Sequence, residues 1–382
     1  MGENKRYAAV YSFGRAVLAP LFAWRYNYHA QPLPPLPSPC IVIANHTMDL
    51  DFMLLGRSFP RLMHFVIGET LFQNKLLKRL LVYIHDPVII SKAGTDGAAV
   101  LEILRRLRGG QSICLFAEGN TSFDGVTGHI PRGTVALVRA SRASLITFRV
   151  GGGYLTHPRW GYSTRRGKSW GELARVYSPQ AIKAMSDEEL NSAIAQDIHV
   201  DAYQDQARQP VAYKGREPAR GLEHALYYCP ACQAIGSLRG AGQLIRCQGC
   251  GFETRYTSYG GFEAPSPYAN VKEWVHAQKA YLAQLFVADA SAMLPDAGQT
   301  LWQIQPDHSL RQVAQGRFSM DAQELSIGDY RLALPDIAGM AIFCKNLLMF
   351  SDRQGVHYQL DALPGQSALK YRDLYQILTQ KE

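Results

Sequence analysis

The run Cys40-Ile41-Val42-Ile43-Ala44-Asn45-His46-Thr47-Met48-Asp49-Leu50-Asp51 decides how the first half of this 382-residue chain is read. Its apolar start, Cys40 to Ala44, reads as a strand, and a helical pattern carrying Phe52, Leu54 and Leu55 begins near Thr47. Outward from it the alternation continues: strand Pro87 to Ser91, helix Gly97 to Leu107, strand Ser112 to Ala117, a helical pattern through Ala136 to Ala140, and strand Leu145 to Val150. Strands alternating with helices predict an α/β fold, a largely parallel sheet flanked by helices. Residues 151 to 175 lack clear periodicity and read as loops or irregular strands. Ser186 to Tyr203 reads as a helix, with Ser186 as cap and Glu189 three residues on as its capping-box partner.

His46 then falls where a strand ends, at the carboxyl edge where open α/β sheets collect their ligands. An imidazole whose Nδ1 proton is held by the Asp51 carboxylate keeps Nε2 free as a base, and no adjacent nucleophile accompanies it. This favours direct attack by a substrate hydroxyl. In isolation the same residues also read as a helix start, His46 capping and the two Asp side chains complementing the dipole. A second segment weighs against that: Phe116-Ala117-Glu118-Gly119-Asn120-Thr121-Ser122 also follows a strand, so in a parallel sheet Glu118 arrives at the same edge.

Asn45-His46-x4-Asp51, the strand ending in Ile89-Ile90-Ser91-Lys92, Phe116-x-Glu118-Gly119-x-x-Ser122 and the strand through Thr147 resemble, in order and spacing, the four motifs of the glycerophospholipid acyltransferase superfamily, of the lysophosphatidate acyltransferase type. The resemblance covers residues 40 to 205. It implies transfer of a fatty acyl group from an acyl thioester, acyl-coenzyme A or acyl carrier protein, to a lysolipid or glycerol-phosphate hydroxyl. By the same resemblance His46 is the general base, Asp51 its orienter, and Glu118 with Gly119 part of the acceptor pocket. Thr121 stands where the family has an arginine, and Lys92 and Arg132 are the cations that could hold an acceptor phosphate in its place.

Four of the seven cysteines cluster as Cys229-x2-Cys232 and Cys247-x2-Cys250, fourteen residues apart, which is tetrahedral zinc spacing in a reducing compartment. A unit of about 35 residues with so little core depends on such a metal to fold. With four thiolates no ligand position is left open, so the predicted zinc is structural. The segments read as an aromatic and basic arm with a Pro-rich spacer (1–39), the acyltransferase domain (40–205), a linker (206–223), a zinc ribbon (224–262), a connecting helix (263–296) and a small β-rich domain of pleckstrin-homology type (297–382).

Composition bounds the rest. Apolar residues make up 47% and charged residues 19%, which excludes disorder as the main state. The net charge of +8 is carried by the first half, with 27 Lys and Arg against 17 Asp and Glu up to Arg220. No apolar stretch is long enough to span a bilayer and no secretory signal is expected, which predicts a cytoplasmic protein. Tyr7, Phe13, Leu18, Leu21, Phe22, Trp24, Tyr26 and Tyr28, with Lys5, Arg6, Arg15 and Arg25 nearby, predict peripheral contact with the inner membrane face, although a helix packed over the sheet has the same pattern. Two rival readings stay open. One is a nucleic-acid-binding or adaptor protein using the basic half and the ribbon, against which the ribbon's few charges count. The other is a non-catalytic, lipid-binding relative of the acyltransferases.

Overall fold

The computed structural model describes residues 5–68, 79, 82, 86–90, 97–289, 291–305, 309–361 and 365–379. The chain divides into two units, one formed by Met1–Arg159 with Arg165–Lys214, the other by Trp160–Thr164 with Gly215–Glu382.

The first unit is built on a seven-stranded sheet whose strands are β1 (Tyr28–Ala30), β2 (Cys40–Ala44), β3 (His64–Gly68), β4 (Val88–Ile90), β5 (Ile113–Phe116), β6 (Ser144–Gly151) and β7 (Ser169–Tyr177). They lie in the order β1-β7-β6-β2-β5-β3-β4, and every neighbouring pair is parallel except β6 and β7. The helices among its described residues are α1 (Lys5–Tyr26), α2 (Asp51–Ser58), α3 (Gly97–Arg108), α4 (Arg132–Ser141), α5 (Gly153–Thr156), α6 (Pro179–Ala184), α7 (Asp187–Asp197) and α8 (Ala202–Arg208). Side chains alternate along β2, and both faces are covered. Val42 and Ala44 join Phe52, Leu54 and Leu55 of α2 on one face, while Ile41 and Ile43 join Ile103 and Leu107 of α3 and Val135 and Val138 of α4 on the other. The Ser186 and Glu189 capping box opens α7.

Three strands of this sheet lie where the sequence pattern predicts no regular strand, β1, β3 and β7. In β7 the obscuring charge is Glu172, paired in register with Arg149 of β6 through a 2.6 Å ion pair. The arm and spacer of residues 1–39 contribute α1 and β1 to this unit. Tyr11 Oη donates to the carbonyls of Gly56 (3.0 Å) and Phe59 (3.1 Å), and Tyr26 and Tyr28 enter the core. The other side of α1 leaves Phe13, Val17, Leu21 and Trp24 between 53% and 71% exposed. Among the described residues no helix is long and apolar enough to cross a membrane.

The second unit holds a three-stranded antiparallel sheet, β8 (Leu238–Ala241), β9 (Leu244–Cys247) and β10 (Glu253–Arg255). It is followed by α9 (Val271–Ala288) and a seven-stranded antiparallel sheet, β11 (Leu294–Ile304), β12 (Leu310–Met320), β13 (Glu324–Ile327), β14 (Tyr330–Ala333), β15 (Ile337–Phe343), β16 (Leu347–Asp352) and β17 (His357–Leu360), ordered β14-β13-β12-β11-β17-β16-β15. The last helix, α10 (Leu369–Thr379), buries Leu369, Tyr371, Leu374 and Tyr375; Tyr371 meets Phe318 of β12 at 4.4 Å between ring centroids, and Tyr375 Oη donates to the Ile337 carbonyl.

Candidate active site and metal centre

Because β2 and β5 are parallel neighbours with Ala44 opposite Phe116, the two polar segments that follow them leave the sheet side by side. Asn45 fixes the first against the strand on its other side: its side-chain amide donates to the Val150 carbonyl and its Oδ1 accepts from the Val150 N–H, both at 2.8 Å. His46 Nδ1 lies 3.0 Å from Asp51 Oδ2. A carboxylate only accepts, so the proton sits on Nδ1 and Nε2 is the basic nitrogen.

Asp51 is fully buried and its two oxygens are saturated. Oδ2 also accepts from the N–H groups of Thr47 (2.5 Å) and Met48 (3.0 Å), and Oδ1 from the Thr47 hydroxyl (3.0 Å). One carboxylate therefore orients the imidazole and closes the turn into α2, so the capping geometry and the orienting geometry are the same geometry. The imidazole, 18% exposed, stacks on the Phe116 ring at 4.3 Å and 16°. That contact fixes its second rotational freedom. Nothing in the spacing of the motifs marks Phe116 as the platform of the histidine.

Glu118 reaches the same place and is spent on backbone. Its Oε1 accepts from the His46 N–H (2.6 Å) and its Oε2 from the Gly128 N–H (2.7 Å), tying the His46 turn to the loop after β5. Burial pushes its carboxyl up from an ordinary 4.5 to about 8, against the pull of those two amides. Gly119, at φ +69°, turns the chain just beyond it. Arg132 is the exposed first residue of α4. Lys92 lies outside the described residues.

His46, Glu118, Asn45 and Thr47 line a small pocket with Ser122, Gly125, Val126, Thr127, Tyr154 and Val200. Every hydroxyl on that wall is committed. Ser122 Oγ donates to Asp124 Oδ1 and accepts from the Gly125 and Val126 amides, and Thr47 donates to Asp51. Thr127 Oγ1 lies within reach of the Ile198 and Val200 carbonyls and Tyr154 Oη donates to the Phe123 carbonyl. Among the described residues, the site holds an oriented base with no free side-chain nucleophile beside it. Residues 25–151, which carry all of these residues except Tyr154 and Val200, match the sequence profile of the family described as Acyltransferase.

The match spans about a third of the chain and falls on the residues that carry the motif resemblance. Among solved structures, the 1-acyl-sn-glycerophosphate (LPA) acyltransferase PlsC from Thermotoga maritima is similar over 50% of this chain and 75% of its own, at 20% identity and a TM-score of 0.40. No curated protein matches the chain. Thr147, on the strand read as the fourth motif, is buried in β6 and donates to Asp197 Oδ2 (2.9 Å) at the end of α7.

In the second unit the four cysteine sulfurs lie within 4.8 Å of one another, with Cys229 to Cys250 at 3.8 Å and Cys232 to Cys247 at 3.7 Å. Metal–sulfur bonds of about 2.3 Å in a tetrahedron put the sulfurs about 3.8 Å apart, so the donor set fits zinc. The two knuckles share one backbone course. Gln233 (φ 63°) and Gly251 (φ 76°) each stand four residues after the first cysteine, and their N–H groups donate to the carbonyls of Cys229 (2.9 Å) and Cys247 (3.1 Å). Ser237 Oγ lies 3.2 Å from Cys247 Sγ. From α9, Gln278 clamps the approach to the first knuckle, accepting from the Tyr227 N–H and donating to the Ala225 carbonyl, and Trp274 donates to the Tyr228 carbonyl. The cysteine unit is thus packed into a larger body.

Proposed function

We propose that this protein is an O-acyltransferase that moves a fatty acyl group from an acyl thioester, of coenzyme A or of an acyl carrier protein, to the hydroxyl of a lysolipid or glycerol phosphate. The observation that carries the reading is the His46 imidazole held at Nδ1 by a buried carboxylate, on a pocket wall whose own hydroxyls are all engaged. Nε2 takes the proton of the acceptor hydroxyl as its oxygen attacks the thioester carbonyl. The tetrahedral intermediate expels the carrier thiolate, which receives the proton from the imidazolium, leaving ester and free thiol. Asp51 stabilises that imidazolium. Glu118, read from the family as part of the acceptor pocket with Gly119, acts here by setting the His46 backbone. Lys92 and Arg132 are the cations proposed for an acceptor phosphate.

Around this chemistry we assign a structural zinc to Cys229, Cys232, Cys247 and Cys250, and a pleckstrin-homology-type role to the β11–β17 sheet closed by α10. The exposed face of α1 is assigned to peripheral contact with the inner face of the membrane, where the acceptor lipid resides. Mass spectrometry of lipids after incubation with acyl-coenzyme A or acyl carrier thioester and a panel of lysolipids tests the activity. A new acylated product that disappears in His46→Ala, with the fold retained, is expected. Equal thioester consumption by His46→Ala would overturn the assignment of the base.

A further inference from the structure

The segment that leaves β6, Gly152 to Arg159, touches both halves of the site although neither motif includes it. At its start, Gly153 lies so close to the Thr47 turn that a Cβ there would sit 2.1 Å from Thr47 Oγ1 and 3.6 Å from Asp51 Oδ1. Tyr154, 2% exposed, donates from its hydroxyl to the Phe123 carbonyl (3.0 Å), and its ring occupies the space beside Gly125, where a Cβ would meet it at 2.7 Å. At its end, Arg159 is 5% exposed, donates from a terminal guanidinium nitrogen to the Thr121 carbonyl (2.9 Å), and lies 4.4 Å over the Phe123 ring. The Thr121–Gly125 loop is thus gripped at 121, 123 and 125 by side chains of one short segment, whose Gly153 also meets the turn that holds His46.

We infer that Tyr154 and Arg159 are positioning residues that set the Thr121–Thr127 wall of the pocket against His46, and so determine how the acyl acceptor is held. The inference rests on the acyltransferase reading of the site. Arg159 acts through a carbonyl and a ring of the loop; Tyr154, itself on the pocket wall, acts through the Phe123 carbonyl and its packing beside Gly125. Ser122, Gly125, Val126 and Thr127, which face the pocket, are held in register by these contacts. An arginine is suited to this, because its planar guanidinium stacks on an aromatic ring while donating in its own plane; a lysine keeps the charge and loses the plane.

The test uses the full-length protein with acyl-coenzyme A and the lysolipid it acylates best, in wild type, Tyr154→Phe, Arg159→Lys and Arg159→Ala. Tyr154→Phe removes one hydroxyl and leaves the ring against Gly125. It is expected to raise the acceptor KM about two- to tenfold, with the thioester KM and the pH midpoint of kcat unchanged. Arg159→Ala is expected to raise it further, with only partial rescue in Arg159→Lys. Backbone hydrogen exchange over residues 121–128 is measured on the same variants and rises in each. Wild-type acceptor KM in all three variants, or equal changes in both KM values, overturns the inference. If wild type acylates nothing, the functional reading falls, and unchanged exchange over residues 121–128 in the variants then removes the positioning role as well.

Discussion

Asp51→Asn separates the charge of the carboxylate from its shape. Asparagine fits the site by turning its oxygen toward His46 Nδ1 and the Thr47 and Met48 amides, and its NH₂ toward the Thr47 hydroxyl, which has acceptor capacity to spare. The turn into α2 survives, and only the negative charge beside the imidazole is removed. A lower bound on the effect is the difference between a charge-assisted and a neutral hydrogen bond, about 1.5 kcal/mol or roughly tenfold in rate. An upper bound is the full Coulomb attraction of a carboxylate and an imidazolium 3.0 Å apart at an effective dielectric of about 20, roughly 5 kcal/mol or almost 10⁴-fold. His46 is partly exposed, so water screens part of that attraction, and a fall in kcat of about 10²-fold is expected with little change in melting temperature. Asp51→Ala, in contrast, strands two buried N–H groups and a hydroxyl at about 1 to 3 kcal/mol each, and loses stability together with activity. Thiol release from acyl-coenzyme A at saturating acceptor, beside thermal unfolding, reads both quantities. A folded Asp51→Asn protein within twofold of wild-type kcat would show that Asp51 serves the turn alone and that the imidazole needs no anion.

Glu118 carries a carboxyl raised from 4.5 to about 8, so folding takes up a proton between those values; its stabilising contribution is full below pH 4.5 and is lost as pH rises through 8. Thermal unfolding across that window should show this slope in wild type and lack it in Glu118→Gln, and an identical slope in both would refute the assignment. Metal analysis of protein purified without chelator should return one zinc per chain, and Cys232→Ser should raise hydrogen exchange over residues 225–256 while sparing β2, β5 and β6; the absence of zinc would end the metal reading. In flotation with anionic vesicles, replacing Leu21 and Trp24 of α1 by Ser should cut the bound fraction about tenfold without changing thermal stability, since both side chains are exposed. Unchanged flotation would remove α1 as the contact.

The parts of the fold legible in the sequence are those in which one segment carries its own signal. The run Cys40–Ala44 is apolar throughout because helices cover both faces of the sheet there, and the strand has the bounds read from it. Ser186 and Glu189 satisfy each other locally, so α7 announces its start. β7 was illegible because its pattern depends on a neighbour: Glu172 is tolerable in a strand only with Arg149 opposite it. The same distinction divides the site. His46 and Asp51 lie five positions apart, and the spacing that makes a turn also makes the hydrogen bond. Glu118 lies 72 positions from His46, and its meeting with that residue's backbone depends on the pairing of β2 with β5. A motif residue on a pocket wall can therefore also hold the loop that shapes the pocket. Tyr154 and Arg159 are the limiting case. They follow a run of three glycines that reads as a loop, and the glycines are there because Thr47 at position 153 and the Lys168 carbonyl at position 152 leave no room for a side chain. The sequence feature that hid the segment is the one that lets it approach the histidine turn.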